Sequence, residues 1–322
     1  MQRRMGSQTA DQKVDIVLPM YNGTPFLVEQ LDSLLCQSYG NFNLFAIDDA
    51  STDGTVELFK NIVSKAGRGA YLEVNEVNRG IIDSLNSIIC KTQAPYIMLC
   101  DQDDIWEREK VKRALSEIEK LEARLGTQTP ILVYTDLKVV NSEGSLIAES
   151  YMRYMSMANK PPERLGRIVM QNRATGCACI FNRSLKDLAF PVPAEAIMHD
   201  WWLFLVASVF GTAHFCPDNS TRYRQHEKNS VGAVQPGRRL KRFMGSGFDI
   251  AGARRTYRSI RRQAEAFLQR YSDALPDPER TLLEEFVSLS ECSFLKRRYF
   301  LIKNGFLKDG LLRNLLLMAT AD

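Results

Sequence analysis

Four times in its first 125 residues this chain runs from an apolar strand through a polar or glycine-bearing turn into a helix. The first strand, Val14-Asp15-Ile16-Val17-Leu18-Pro19-Met20, is closed by Tyr21-Asn22-Gly23. Thr24, with Pro25 at the first helical position, then predicts a capped helix whose Leu27, Leu31, Leu34 and Leu35 share one face. Residues 42–47 read as the second strand, followed by Asp48-Asp49-Ala50-Ser51-Thr52-Asp53-Gly54 and a helix over 55–64. Residues 71–77 form the third strand, ahead of Asn78-Arg79-Gly80 and a helix through Cys90. The fourth begins at Tyr96, runs into Asp101-Gln102-Asp103-Asp104-Ile105-Trp106, and precedes a helix over 107–125. Repeated strand–helix units of this kind specify an α/β fold, a mainly parallel sheet with helices on both faces.

Such a sheet binds ligands outside the carboxyl ends of its strands. Tyr21, Asp49, Arg79, Asp101 and Asp103 all lie at those ends and should converge there. Three carboxylates within four positions repel one another, so the turn after the fourth strand calls for a cation. A hard divalent ion, Mg²⁺ or Mn²⁺, takes oxygen ligands and leaves positions for substrate phosphates. The competing reading is a plain acidic turn, since Glu107 and Glu109 mark a helix N-terminus. No GxGxxG follows the first strand and no GxxxxGK[ST] occurs anywhere, which disfavours a dinucleotide redox cofactor and a P-loop.

Beyond Pro130 the pattern changes. Residues 131–134 and 138–140 read as short strands with a hairpin turn at Asn141-Ser142-Glu143-Gly144. Residues 151–165, with three methionines and Pro161-Pro162, read as a loop or lid. Residues 175–181 return to strand, which puts Cys177 and Cys179 on one face as core or pocket wall and makes a zinc site improbable. His199-Asp200-Trp201-Trp202 opens a strongly apolar helix. A strand over 212–216, in which His214 is structural, leads to Tyr223-Arg224-Gln225-His226. The expected organisation is a disordered 1–13, a catalytic domain over 14–235 and a helical, basic region over 236–322.

The chain has ample length for a core, and its 45% hydrophobic and 25% charged residues are ordinary for a globular protein. The polar start lacks an apolar signal core, and no apolar run approaches the ~20 residues of a membrane span, so a cytoplasmic location is expected. Seven cysteines without CxxC spacing fit reduced thiols. Residues 238–270 hold ten Lys and Arg against two acids, and 296–313 hold six against one, which with +4 overall leaves about −9 for the rest. A basic tail on an acidic body points to an anionic partner.

Together these motifs resemble the family 2 glycosyltransferases, inverting enzymes of the GT-A fold that use nucleotide-sugar donors. The resemblance spans roughly residues 14–232. It rests on Val17-Leu18-Pro19-Met20-Tyr21-Asn22-Gly23, Asp48 to Gly54, Asn78-Arg79-Gly80, Asp101 to Trp106, His199-Asp200-Trp201 and Tyr223-Arg224-Gln225-His226. With Tyr134-Thr135-Asp136-Leu137, the set is most similar to bacterial rhamnosyltransferases that build O-antigen or rhamnan from dTDP-L-rhamnose. The resemblance implies that Pro19 and Tyr21 wall the base pocket with Asn22 beside them. Asp49 accepts from the base imide, and Arg79 lies near the base or diphosphate. Asp101 and Asp103, with Gln102 between them, form the DxD-type motif. Asp103 contacts the metal, His226 completes the metal or diphosphate site, and Arg224 supports the phosphates. Asp200 is the general base, and Trp106, His199, Trp201 and Trp202 border the acceptor or sugar pocket. Structural rivals remain open: Asp49 as a turn cap before Thr55, Asp200 as a helix N-cap, His226 as a loop hydrogen-bonder, and Trp201 as core with Trp202 as pocket wall.

The implied partners are a lipid-linked glycan acceptor and, through the C-terminal helices, the anionic inner face of the cell membrane, with homo-oligomer formation as the rival use of those helices. Two alternatives keep the fold: a UDP-sugar-dependent enzyme, and a non-catalytic nucleotide-sugar-binding subunit. Nucleic acid is not an expected partner, because the body is acidic and carries no nucleic-acid motif.

Overall fold

The structure is a computed structural model that describes residues 3–5 in backbone and 14–157, 164–226 and 249–321 in full. It contains two compact units. The larger comprises residues 1–151, 174–192 and 212–232.

Its centre is an eight-stranded sheet, in spatial order Arg3–Met5, Ala70–Val74, Phe42–Asp48, Val14–Met20, Tyr96–Leu99, Cys179–Asn182, Ile131–Thr135 and Thr212–Cys216. Only Arg3–Met5 and Cys179–Asn182 run against the others. The mainly parallel α/β architecture is therefore the expected one. Every residue of Val14–Met20 is buried except Pro19, which is half-buried, as a strand covered on both faces requires. Leu27, Leu31 and Leu34 of the helix Leu27–Leu35, Phe59 and Val63 of Thr55–Lys65, and Ile118 of Lys110–Leu125 pack into the core with Ile16, Leu18 and Met98. The stretch 1–13, expected to be disordered, contributes residues 3–5 to the sheet edge, and the rest of it lies outside the described residues.

Several element ends differ from expectation. The first helix starts at Leu27, with Gly23 O accepting from Phe26 N and Leu27 N, while the Thr24 hydroxyl turns to Asp53 Oδ2 at 2.8 Å. The third strand stops at Val74; Asn75 N still donates to the Asp48 carbonyl, while its side chain turns to the Asp49 carboxylate. Ile105–Trp106 is a strand, so the following helix begins only at Lys110. Gly176–Ala178 is a 3₁₀ turn, which takes Cys177 out of the strand that holds Cys179. A second, four-stranded sheet, in order Ile105–Trp106, Thr221–Arg224, Lys138–Val140 and Leu146–Ala148, brings the 221–224 motif beside the carboxylate turn.

The smaller unit comprises residues 152–173, 193–211 and 233–322. The expected division at 235/236 falls outside the described residues; compactness instead joins two inserted segments to the C-terminal helices. The reason is aromatic and ionic packing. Trp202 of the helix His199–Phe210 is fully buried, edge-on to Phe267 at 5.5 Å and stacked near Tyr271 at 6.0 Å. Truncating a ring this well packed costs about 3–5 kcal/mol. Arg173 pairs with Asp309 at 2.7 Å, and a Cβ at Gly166 would collide with the backbone of Asn304. Of the 151–165 stretch, Tyr151–Tyr154 is one helical turn, and 158–163 lie outside the described residues.

Candidate functional site

In the large sheet the strand order reverses between Val14–Met20 and Tyr96–Leu99, and the turns that leave these two strands open the crevice where such sheets bind ligands. Gln102 staples the turns together: its Oε1 accepts from Tyr21 N at 2.9 Å and its Nε2 donates to Tyr21 O at 2.8 Å. A Cβ at Gly23 would overlap the Gln102 carboxamide in this position, so a side chain there would displace the staple. Gln102, expected at the donor, is thus a brace; the Tyr21 ring it positions is half exposed. Asn22 is also occupied structurally. Its backbone is left-handed, its N–H donates to Ser51 Oγ, and its side-chain oxygen accepts from Thr52 N at 2.9 Å.

The Asp49 carboxylate lies against the Asn78-Arg79-Gly80 turn and accepts from Arg79 N, Gly80 N and Asn75 Nδ2, each at 2.8 Å. Burial alone would raise its pKa, but these donors outweigh burial and hold it below the usual carboxylate range. Asp49 is not the cap of the helix Thr55–Lys65; Asp53 meets Thr55 N and its hydroxyl. The Arg79 side chain itself is exposed. Neighbouring Asp48 is fully buried with Oδ1 unpartnered among the described residues.

Asp103 and His226 are brought together, with His226 Nε2 2.8 Å from Asp103 Oδ2. The imidazole stacks on Phe26 at 4.6 Å between centroids. Arg224, expected at the phosphates, is instead buried and committed to protein. It donates to Asp103 O at 2.9 Å, to Ser142 O at 2.7 Å and to the Glu29 carboxylate, while its guanidinium lies over Phe26 at 5.0 Å. Its role is to hold the Asp103 turn. Phe26, which seats both His226 and Arg224, and Glu29, which meets Arg224, gave no signal in the sequence beyond their place at a helix start.

Among the described residues, Asp101 is not grouped with Asp103 and His226; with Asp104 and Cys177 it forms a cluster of ligand atoms all within 4.8 Å of one another. Asp104 is fully buried, accepts from Arg224 N at 3.2 Å on Oδ1, and its carboxyl group interacts with the Cys177 side chain. Burial, then the Asp101 and Asp103 charges, push the Asp104 pKa well up, and burial followed by Asp104 does the same to Cys177. Cys177, expected as core or pocket wall, is buried in a small core cluster with Leu137, Ala178 and Tyr223, and the 3₁₀ turn sets it behind the acidic turn. The paired nitrogen and oxygen atoms of His226 and Asp103, in an acidic turn that also carries Asp101, suit a divalent cation of the Mn²⁺ or Mg²⁺ type.

In the smaller unit, Asp200 sits in the first turn of its helix, and Met198, not Asp200, is the N-cap residue. Its Oδ1 accepts from Asn172 Nδ2 at 2.9 Å and Trp201 N at 2.6 Å. Asn172 lies outside every motif and was missed. Trp201 donates from Nε1 to Ile168 O at 2.8 Å. His199 is buried with Nδ1 unpartnered among the described residues, and burial, only partly offset by Asp200, lowers its pKa and keeps it neutral. Two expected pocket walls are corrected. Trp202 is core, and Trp106 is buried with Lys110 Nζ 4.7 Å above its ring, so neither offers a face to a sugar.

A family model, "Glycosyl transferase family 2", matches residues 15–188. EpsE of Bacillus subtilis (strain 168), a candidate glycosyltransferase, is 30% identical over 162 residues, half of this chain and 57% of that protein. The amylovoran biosynthesis glycosyltransferase AmsB of Erwinia amylovora is 28% identical over 140 residues, 42% of this chain and 45% of its own. This chain thus spans about half the length of such relatives. Among solved structures, S. aureus TarS 1–349 in complex with UDP-GlcNAc has a TM-score of 0.60 at 17% identity, covering 87% of this chain and 73% of that one. The mannosyltransferase PcManGT from Pyrobaculum calidifontis, in complex with GDP-Man and Mn²⁺, has 0.55 at 17% identity, covering 97% and 76%. These likenesses carry the fold, and the family match covers over half of the sequence: the chain belongs to glycosyl transferase family 2.

Proposed function

We propose that this protein is an inverting, metal-dependent glycosyltransferase of bacterial surface-polysaccharide synthesis, which moves L-rhamnose from dTDP-L-rhamnose to a lipid-linked or growing glycan. The observation that carries the reading is the Asp103–His226 pair, held by Phe26 and Arg224 beside the reversal of strand order. Asp103 and His226, with Asp101 nearby in sequence, would hold the divalent ion. When bound, that ion neutralises charge on the departing diphosphate. Pro19 and Tyr21 flank the base, and the Asp49-braced turn presents Arg79 to the nucleotide. Asp200, oriented by Asn172, takes the proton from the acceptor hydroxyl. The hydroxyl oxygen bonds to the anomeric carbon as the bond from that carbon to the diphosphate breaks, and the diphosphate leaves with the electron pair. The reaction takes place at the inner face of the membrane, where a polyprenyl-linked acceptor would lie.

UDP-sugar use is the second reading, favoured by the UDP-GlcNAc complex of the structural relative TarS. The test is nucleoside diphosphate release from dTDP-, UDP- and GDP-sugars, with Mn²⁺ or EDTA, for wild type and Asp200→Asn. Metal-dependent release from dTDP-rhamnose that is lost in the variant supports the proposal. Release from a UDP-sugar alone discards rhamnose, and metal-dependent donor binding without turnover, acceptor present, points to a non-catalytic subunit.

A further inference from the structure

The helices Phe294–Lys303 and Leu311–Thr320 turn apolar side chains outward where a water-facing helix pair would show charge. Leu295, Tyr299 and Ile302 recur at i, i+4 and i+7 on one stripe of the first helix and are 77%, 65% and 59% exposed. Leu311, Leu312 and Leu315 form the matching stripe of the second, Leu311 being 75% exposed. Both helices already bury their other side, through Leu301 and Leu317, so the outward stripes are not the faces that fold the unit. Arg298 Nε donates to Met318 O at 3.0 Å, which makes the two helices neighbours. Exposed apolar stripes on two neighbouring helices mark a binding face.

Charge decides what it binds. Neither helix contains an acid, and Lys296 and Lys303 flank the first stripe. Asp309, between the helices, is buried and paired with both Arg173 and Arg167, so it adds no negative charge to the face. The helix Ile250–Arg270 of the same unit exposes Arg254, Arg255, Arg258 and Arg262. A second copy docked through this face would set cation against cation, because a two-fold interface opposes the same patch to itself. An anionic bilayer satisfies both halves, with apolar residues at the acyl boundary and ammonium groups at the phosphates.

We propose that the outward face of 294–320 inserts shallowly into an anionic membrane surface, Leu295, Tyr299, Ile302, Leu311, Leu312 and Leu315 entering the acyl boundary while Lys296 and Lys303 meet lipid phosphates. This deepens the membrane part of the proposed function and rests on it, while needing nothing from the donor site. The experiment is flotation of the full chain with phosphatidylcholine vesicles, with and without phosphatidylglycerol. It compares wild type, the Leu295→Glu/Leu315→Glu pair and the Lys296→Glu/Lys303→Glu pair; all four side chains lie on the solvent side, and unchanged thermal unfolding checks folding. Wild type should float with anionic vesicles, the apolar pair should lose binding by about tenfold or more, and the lysine pair by roughly fivefold per cation. Absent wild-type flotation, or flotation undiminished in the apolar pair, overturns the proposal. So does a wild-type dimer in solution that the apolar pair dissociates, since a second copy then owns the face. Nucleoside diphosphate release without vesicles separates the readings: lost flotation with intact release sinks docking alone, and the reverse sinks the donor-site reading alone.

Discussion

The acidic crevice of the larger unit and the outer face of the C-terminal helices expose opposite things: the crevice buries its polar groups in backbone bonds, and the helices leave apolar ones in solvent. In the crevice, charged groups are buried and tied to backbone: Asp49 to two N–H groups, Arg224 to two carbonyls, Asp104 to one N–H. On the helices, leucines stand in solvent beside lysines. A small, highly charged ligand is recognised by preorganised dipoles at fixed points, which demands rigidity. An extended apolar partner is recognised by area, which demands only that the residues lie on one face. Substitutions in the crevice should therefore act steeply and one residue at a time, whereas those on the helices should act in proportion to area and charge removed.

The sharpest way to break this contrast is Asp200→Asn, which should lower turnover by about 10³-fold while donor binding persists, as measured by product release and by titration of the donor. A loss confined to binding would place Asp200 with the donor instead. Asp103→Asn comes next: removing one oxygen beside His226 should lower turnover by about 10²–10³-fold and abolish the difference between Mn²⁺ and EDTA. Arg224→Met tests the claim that this guanidinium is structural. It should cost about 2–4 kcal/mol in denaturant unfolding, most of it from the orphaned carbonyls of Asp103 and Ser142, since Glu29 is well exposed and adds little. If stability holds while diphosphate affinity falls, Arg224 serves the ligand.

The smallest effect is a pH slope. Burial depresses the His199 pKa, so the unfolded chain takes up a proton near pH 6.5 that the folded protein accepts only at lower pH. That contribution is intact above about pH 6.5 and is lost as pH falls toward the folded value, lowering the melting temperature. His199→Gln should flatten the slope between pH 7 and 5.5; an unchanged slope would assign it elsewhere.

Much of the larger unit was legible because its signals are local. Val14–Met20 reads as a buried strand from composition alone, and the turns after the first four strands announce themselves by glycine and acid. Element ends were less legible, since Thr24 turned to Asp53 and Asn75 to Asp49, both distant in sequence. The same holds for site residues. Asp103 and His226 were named from motifs, whereas the reassignment of Gln102 and Arg224 to bracing, and the burial of Trp106 and Trp202, depended on neighbours that no spacing reveals.

By itself, then, the sequence determined the alternation of strand and helix, the parallel sheet and the acidic turn at its carboxyl edge, because periodicity and turn chemistry act over a few residues. Tertiary structure alone decided which carboxylate meets His226, which holds a backbone turn, and which is buried against a thiol. It also decided that residues 152–173 and 193–211 pack with the C-terminal helices, and which apolar stripes those helices leave uncovered. Each of those outcomes depends on contacts between residues tens to hundreds of positions apart, and the free energy of such contacts is set by burial and donor geometry that only the folded chain possesses.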